Sequence, residues 1–142
     1  MEPNYISERF INREISWLSF NHRVLQEAAD RNNPLIQRMR FLGIFSNNRD
    51  EFFRVRVATV RRIAALRGKK KLLGNRTPQE LIQEIQNIVV GQQTKFEEIY
   101  QELIKEMERY DIYVVNETQL TPEQGEFVEH FYHERIRPIL VP

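Results

Sequence analysis

The chain has 142 residues, 41% hydrophobic and 29% charged, with a formal net charge of +1 and no cysteine. Such a length and composition fit one globular domain with one core. They exclude a disulfide framework, thiolate metal sites and a cysteine nucleophile, and no apolar run reaches the ~18 residues a membrane helix needs. Met1 to Phe10 is polar and lacks the basic-then-apolar layout of a secretory signal.

The small net charge hides a segregation. Residues 1–37 carry four basic and five acidic groups, residues 38–76 twelve and two, and residues 77–142 five and thirteen, giving balances of −1, +10 and −8. This asymmetry points either to a polyanion partner for the middle segment or to attraction between packed helices of opposite sign.

In chain order, Asn12 stands as a cap before a first helix that runs from about Arg13 to Ala29. Ile15, Leu18, Phe20, Val24, Leu25 and Ala28 form its apolar stripe, and Trp17 occupies a neighbouring face. Residues 30–34 read as a turn, with Asn33 capping and Pro34 at the first helical position. A second helix extends from Pro34 to about Leu66, with a candidate interruption at Ser46-Asn47-Asn48, and ends before a basic loop, Gly68 to Arg76.

Thr77 and Glu80 form a capping box, with Pro78 strengthening the start of a third helix. Leu81, Ile85, Ile88, Gln92, Phe96, Ile99, Leu103, Met107 and Tyr110 then recur on an eleven-residue repeat of ~3.67 residues per turn, as a long, nearly straight helix requires. Ile112-Tyr113-Val114-Val115 reads as an extended connection. Thr121-Pro122-Glu123-Gln124 restarts a short helix to about Arg137, and an extended tail follows from Pro138. The expected fold is all-α: an antiparallel three-helix, spectrin-repeat-like bundle over 1–110, with the extra helix and tail in 111–142. The apolar end at Ile139-Leu140-Val141 suggests a piece of something larger.

The informative residues lie between Phe10 and Val57. Asn12-Arg13-Glu14-Ile15-Ser16-Trp17-Leu18-Ser19-Phe20-Asn21 is followed by Arg23 to Asp30, then Asn33-Pro34-Leu35. Arg40 to Asn48 and Asp50-Glu51-Phe52-Phe53-Arg54-Val55-Arg56 complete the series. These blocks, in this order and spacing, resemble the N-terminal domain of bacterial polyphosphate kinase, the family with a phosphohistidine intermediate. The resemblance implies a helical N-terminal domain, 1–110, followed from 111 by the start of a head domain used in dimerisation, and then by two C-terminal domains holding the active site. It implies reversible transfer of the ATP γ-phosphate to inorganic polyphosphate, with magnesium, through a histidine of those C-terminal domains. It also implies a cytoplasmic, homo-oligomeric enzyme, peripheral association with the inner membrane being a variant.

This stretch by itself assembles no nucleophile, metal-binding groups and cationic stabilisers of the kind phosphoryl transfer needs. His22, His130 and His133 match no catalytic histidine and read as surface or boundary residues; no metal site is expected in 1–142. The resemblance assigns an ATP contact to the second asparagine of Ser46-Asn47-Asn48, and an amide donor beside an acceptor can match an adenine edge. Phe41 and Phe45 would wall or stack on the base, and Asp50 would fix the amide or a nearby arginine. The other reading makes Asn48, with Glu51, an N-cap pair after a helix break. Arg49 replaces a leucine common in the family.

Arg54, Arg56, Arg61 and Arg62, with Arg40, form a candidate cationic wall for ATP phosphates or polyphosphate, since arginine forks suit phosphate oxygens. Lys69-Lys70-Lys71 reads as a loop, with phosphate contact as its alternative, and Trp17 and Phe20 read as core. Two further functions fit the pattern: a basic nucleic-acid-binding helical module, against which the acidic third segment argues, and a purely structural helical spacer.

Overall fold

The computed structural model describes residues 11–67 and 76–141. The expectations for Met1 to Phe10, for most of the basic loop including Lys69-Lys70-Lys71, and for Pro142 lie outside them. The described residues are all-helical, with no strand among them. Helix α1 spans Arg13–Ala29 and α2 spans Leu35–Glu51; a π-helical segment, Phe52–Val57, joins α2 to α3, Ala58–Arg67. The long α4 spans Pro78–Glu108, and α5 spans Pro122–Phe131 before a second π-helical segment, Tyr132–Ile136, and a 3₁₀ turn, Arg137–Ile139. The chain divides into two compact units, Met1–Met107 and Glu108–Pro142.

The start of α1 follows its sequence signal: Asn12 Oδ1 accepts from the backbone N–H groups of Glu14 and Ile15 at 2.9 and 3.3 Å. The expected capping box before α4 is also present, with Thr77 N–H donating to Glu80 Oε2 and Glu80 N–H donating to Thr77 Oγ1. Thr121 and Gln124 make a second box at α5. The turn before α2 differs from expectation. Pro34, not Asn33, holds the N-cap position, and Asn33 Nδ2 instead donates to the Glu27 carbonyl and carboxylate.

Two apolar clusters make the core of the first unit. One joins Leu18 of α1, Phe52, Val57 and Val60, and Leu81 and Ile85 of α4; the other joins Leu25 and Ala28, Leu42 and Phe45, and Ile99 and Leu103. Contacts between α1 and the α2–α3 rod pair residue 28 with 38, 21 with 45 and 17 with 52, as antiparallel neighbours do. Contacts between that rod and α4 pair 38 with 106, 45 with 96 and 49 with 93, again antiparallel. The eleven-residue repeat of α4 delivers Leu81, Ile85, Gln92, Ile99, Leu103 and Met107 to the buried side, while Tyr110 falls beyond the helix and is exposed. Asp111 takes φ 58°, a left-handed conformation that Asp tolerates better than most side chains, and its N–H closes on the Glu108 carbonyl.

Two expectations for α1 and α2 are corrected. Phe20 is 53% exposed; the stripe runs Leu18, Asn21, Leu25, Ala28, and its second position belongs to the polar Asn21. The second helix is not interrupted at Ser46-Asn47-Asn48, so Asn48 is no N-cap; the irregularity lies at Phe52–Val57. Buried positions along the rod step from Phe45 to Phe52, Val57 and Val60, and the five-residue step between Phe52 and Val57 exceeds one α-turn. The wider π turn absorbs that extra residue. Phe52 thereby stays inward and stacks on Trp17 at 4.5 Å and 9°, leaving Trp17 half-buried.

In the second unit, α5 and the segments after it contain no buried residue, and Phe127, Val128, Phe131 and Tyr132 are exposed. The tail expected from Pro138 is instead a 3₁₀ turn that reaches Ile139, with Leu140 extended after it, because Pro138 supplies the fixed φ of a tight turn.

Leu103→Ala, at the centre of the second cluster, is expected to cost about 2–5 kcal/mol. Val90→Ala, on the exposed side of α4, should change stability by less than about 0.5 kcal/mol. Urea denaturation of the two variants checks the contrast.

Candidate functional site

The sequence-selected residues all lie on the continuous rod from Leu35 to Arg67. Phe41, Phe45, Asn48 and Asp50 occupy the second half of α2, Arg54 and Arg56 the π-helical segment, and Arg61 and Arg62 α3. At ~1.5 Å per residue, Arg54 stands about 9 Å along the axis from Asn48, and Arg61 and Arg62 about 20 Å. The rod therefore keeps Phe41, Phe45, Asp50, Arg54 and Arg56 within about 12 Å of Asn48 along the axis and leaves Arg61 and Arg62 a separate group.

Asn48 is half-buried and faces α1. Its Nδ2 donates to Asn21 Oδ1 at 3.0 Å, and Asn21 Nδ2 donates to the Phe45 backbone carbonyl at 3.1 Å. The Asn48 Oδ1 has no partner among the described residues. Asn21 is completely buried, so it meets no solvent. Gln92 of α4 adds a third polar side chain at this level: its Nε2 donates to the Leu18 carbonyl at 3.1 Å, while its buried Oε1 has no partner among the described residues. Asn21, Asn48 and Gln92 thus form a polar stratum from three helical lengths, between the two apolar clusters.

Phe45 is 0% exposed. Its ring packs on Phe96 at 5.8 Å, and the Arg49 guanidinium covers both rings from 5.6 and 5.9 Å while also donating to Gln93 of α4. This ring has no free face for a base, so the expectation that Phe45 stacks on adenine is corrected: its contribution is the carbonyl that orients Asn21. The arginine in place of leucine is accounted for by the same cation–π and hydrogen-bonding contacts, which tie α2 to α4. Phe41 is half-buried and packs against the second cluster. Asp50 is exposed and has no hydrogen-bond or ion-pair partner among the described residues, so the Asn48 amide is fixed by Asn21, not by Asp50.

Several basic groups of the middle segment are spent on acidic helix partners. Arg38, 1% exposed, donates through Nε to the Ala28 carbonyl and through Nη1 to Glu106 at 2.8 Å, leaving Nη2 buried without a partner among the described residues. Arg76 pairs with Glu84 at 3.2 Å, and Arg54 pairs with Glu51 within the rod at 3.5 Å. Arg40, Arg56, Arg61 and Arg62 have no carboxylate partner among the described residues. Both readings of the charge asymmetry therefore find residues: helix pairing uses Arg38 of α2 with Glu106 of α4, Arg76 pairs with α4 from the residues just before it, and a cationic surface remains on the rod.

His22 is half-buried with an unpartnered Nδ1, and it lines a mainly apolar groove with Leu25, Gln26, Ala29, Lys95 and Ile99 that includes none of the eight site residues. The hydrogen bond from Lys95 to Glu98, reinforced by their Coulomb attraction, raises the Lys95 ammonium above its ordinary range. His130 and His133 are exposed on the second unit. Among the described residues no group of three His, Asp or Glu side chains is arranged to hold a metal, and no helix is long and apolar enough to cross a membrane.

Asn21 and Gln92 escaped selection as site residues. Their signal was legible: each is a polar residue on an otherwise apolar helical stripe, Asn21 three residues after Leu18 and four before Leu25, Gln92 four after Ile88 and four before Phe96. Gln92→Met should stay within about 1 kcal/mol of the parent, because it removes an unsatisfied acceptor at nearly constant volume. Asn21→Ala should cost about 2–3 kcal/mol, since it empties a buried position and strips Asn48 of its acceptor. Thermal melting of the two variants measures the difference.

Comparison with known proteins supplies the remaining information. The family model described as "Polyphosphate kinase N-terminal domain" matches residues 10–115. The polyphosphate kinase of Vibrio cholerae is 46% identical over 133 residues, and that of Escherichia coli K12 is 44% identical over the same length. Salmonella typhimurium polyphosphate kinase is 43% identical over 133 residues. Each alignment covers 94% of this chain and 19% of the relative, so the chain spans about a fifth of the length of these curated relatives. The match over residues 10–115 includes the whole polar stratum and every sequence-selected site residue, and the chain belongs to the polyphosphate kinase N-terminal domain family.

Proposed function

We propose that this chain serves as the N-terminal, ATP-proximal domain of a polyphosphate kinase, an enzyme that moves the γ-phosphate of ATP reversibly onto inorganic polyphosphate. Asn48 contacts the adenine edge, and the observation that carries this reading is its half-buried amide, held on one side by Asn21 with a carbonyl oxygen left over. Phe41 and Asp50 flank the base, while Phe45 supports the site from beneath. Arg54 and Arg56, nearest along the rod, suit the nucleotide phosphates; Arg61 and Arg62 suit a longer polyanion farther away. The chemistry is left to a histidine and magnesium carried elsewhere in the enzyme, as the resemblance to the family implies. This domain alone is inactive.

Its contribution is orientation: holding the base fixes where the γ-phosphate lies, and correct positioning lowers a barrier by several kcal/mol. The antiparallel pairings support a three-helix bundle over 1–110, spectrin-like in plan, as a stiff mount for that contact. The unburied aromatic residues of the second unit support reading 111–142 as the start of the next domain, completed by other parts of a cytoplasmic, homo-oligomeric enzyme.

Asn48→Ala in the full-length enzyme should raise KM for ATP about tenfold, as loss of a paired donor and acceptor predicts, with KM for polyphosphate unchanged. Steady-state kinetics with each substrate varied tests this, and an unchanged KM for ATP removes the assignment. Arg61→Ala combined with Arg62→Ala should instead raise KM for polyphosphate, more at low salt than at high, because exposed charges act through a screened field. Equal kinetics at both salt concentrations would assign these arginines to the solvated surface.

A further inference from the structure

The hydrogen bonds around Asn21 fix more than the position of Asn48. A backbone carbonyl can only accept, so the Asn21 group facing Phe45 O must be its NH₂. Asn21 then has only its Oδ1 to offer α2, and the Asn48 group meeting that oxygen must be a donor, its Nδ2. The direction of the second amide thus follows from a main-chain oxygen two links away. Turning the Asn48 amide over would set two acceptor oxygens against each other in a buried setting and forfeit a hydrogen bond.

We infer that Asn21 is a positioning residue that selects adenine over guanine by locking the orientation of the Asn48 amide. This rests on the placement of the base at Asn48 proposed above. In the locked orientation Asn48 presents Oδ1 as acceptor, beside the Nδ2 hydrogen not used by Asn21. Adenine offers the complementary pair, an N6 donor next to a ring-nitrogen acceptor. Guanine carries O6 at the same place, so two acceptors would face each other; a freely turning amide could adapt to it, and a clamped one cannot. Asn21 itself is completely buried and touches no nucleotide, so its influence passes entirely through Asn48.

The test uses the full-length enzyme with ATP and GTP as alternative phosphoryl donors. Asn21→Leu keeps the buried volume filled and removes both hydrogen bonds; the ratio of kcat/KM for ATP to that for GTP is expected to fall about tenfold, through KM and with kcat little changed. Asn21→Ser, whose hydroxyl stands about one bond short of both the Phe45 carbonyl and the Asn48 amide, should lower the ratio likewise and serves if the leucine variant does not fold. A folded Asn21 variant that melts at lower temperature yet keeps the parental ratio shows a merely structural role and overturns the inference. If that ratio persists while Asn48→Ala weakens ATP use, the clamp fails and the base contact stands. If Asn48→Ala leaves ATP use untouched, the base contact itself fails and takes the clamp with it.

Discussion

The buried amide of Asn21 is the constraint on which the first unit turns. A fully buried polar side chain is costly unless its hydrogen-bonding groups are met, and here they are met only when α1 and α2 lie antiparallel in one register, with residue 21 opposite 45 and 48. An apolar contact tolerates sliding by a turn; this pair of hydrogen bonds does not. Gln92 adds a looser tie from α4 to the Leu18 carbonyl, and among the described residues its buried oxygen, like the Asn48 Oδ1, is unmatched. The two apolar clusters above and below supply the bulk of the burial, and the polar level between them specifies how the helices align.

The same economy of partners governs the charged groups. Arg38 is buried by packing its stem in the core while its head reaches a main-chain carbonyl and Glu106, a connection between α1, α2 and α4 near their shared end. Such a pair contributes more to a unique arrangement than to net stability, because desolvation offsets much of the attraction. Arg49 performs a related task nearer the stratum, lying over Phe45 and Phe96. Among the described residues Arg40, Arg56, Arg61 and Arg62 have no carboxylate partner, so the positive charge of the middle segment is partly structural and partly available to anions.

The π-helical segment connects packing to the candidate site. By taking up one extra residue after Glu51, it keeps Phe52, Val57 and Val60 on the core side and sets where Arg54 and Arg56 project relative to Asn48. A regular α-helix through the same residues would turn these side chains progressively away from α1 and α4. Phe52 stacked on Trp17 anchors the start of the segment, so the direction of the arginines depends on an aromatic contact with α1.

Local signals sufficed for the starts of α1, α4 and α5. Asn12, the Thr77 and Thr121 boxes and the repeat of α4 act through neighbours a few residues away, and the physics that sets them is contained in the sequence. The family and the candidate Asn48 were also legible, as ordered blocks of residues. Tertiary structure decided the rest. The identity of the buried stripe in α1, Asn21 rather than Phe20, depends on which face meets α2; the burial of Phe45 depends on α4 and on Arg49; and the partner of the Asn48 amide lies 27 residues away. These are long-range matters, because whether a polar group is satisfied or an aromatic face is free is settled only when separate helices close around it.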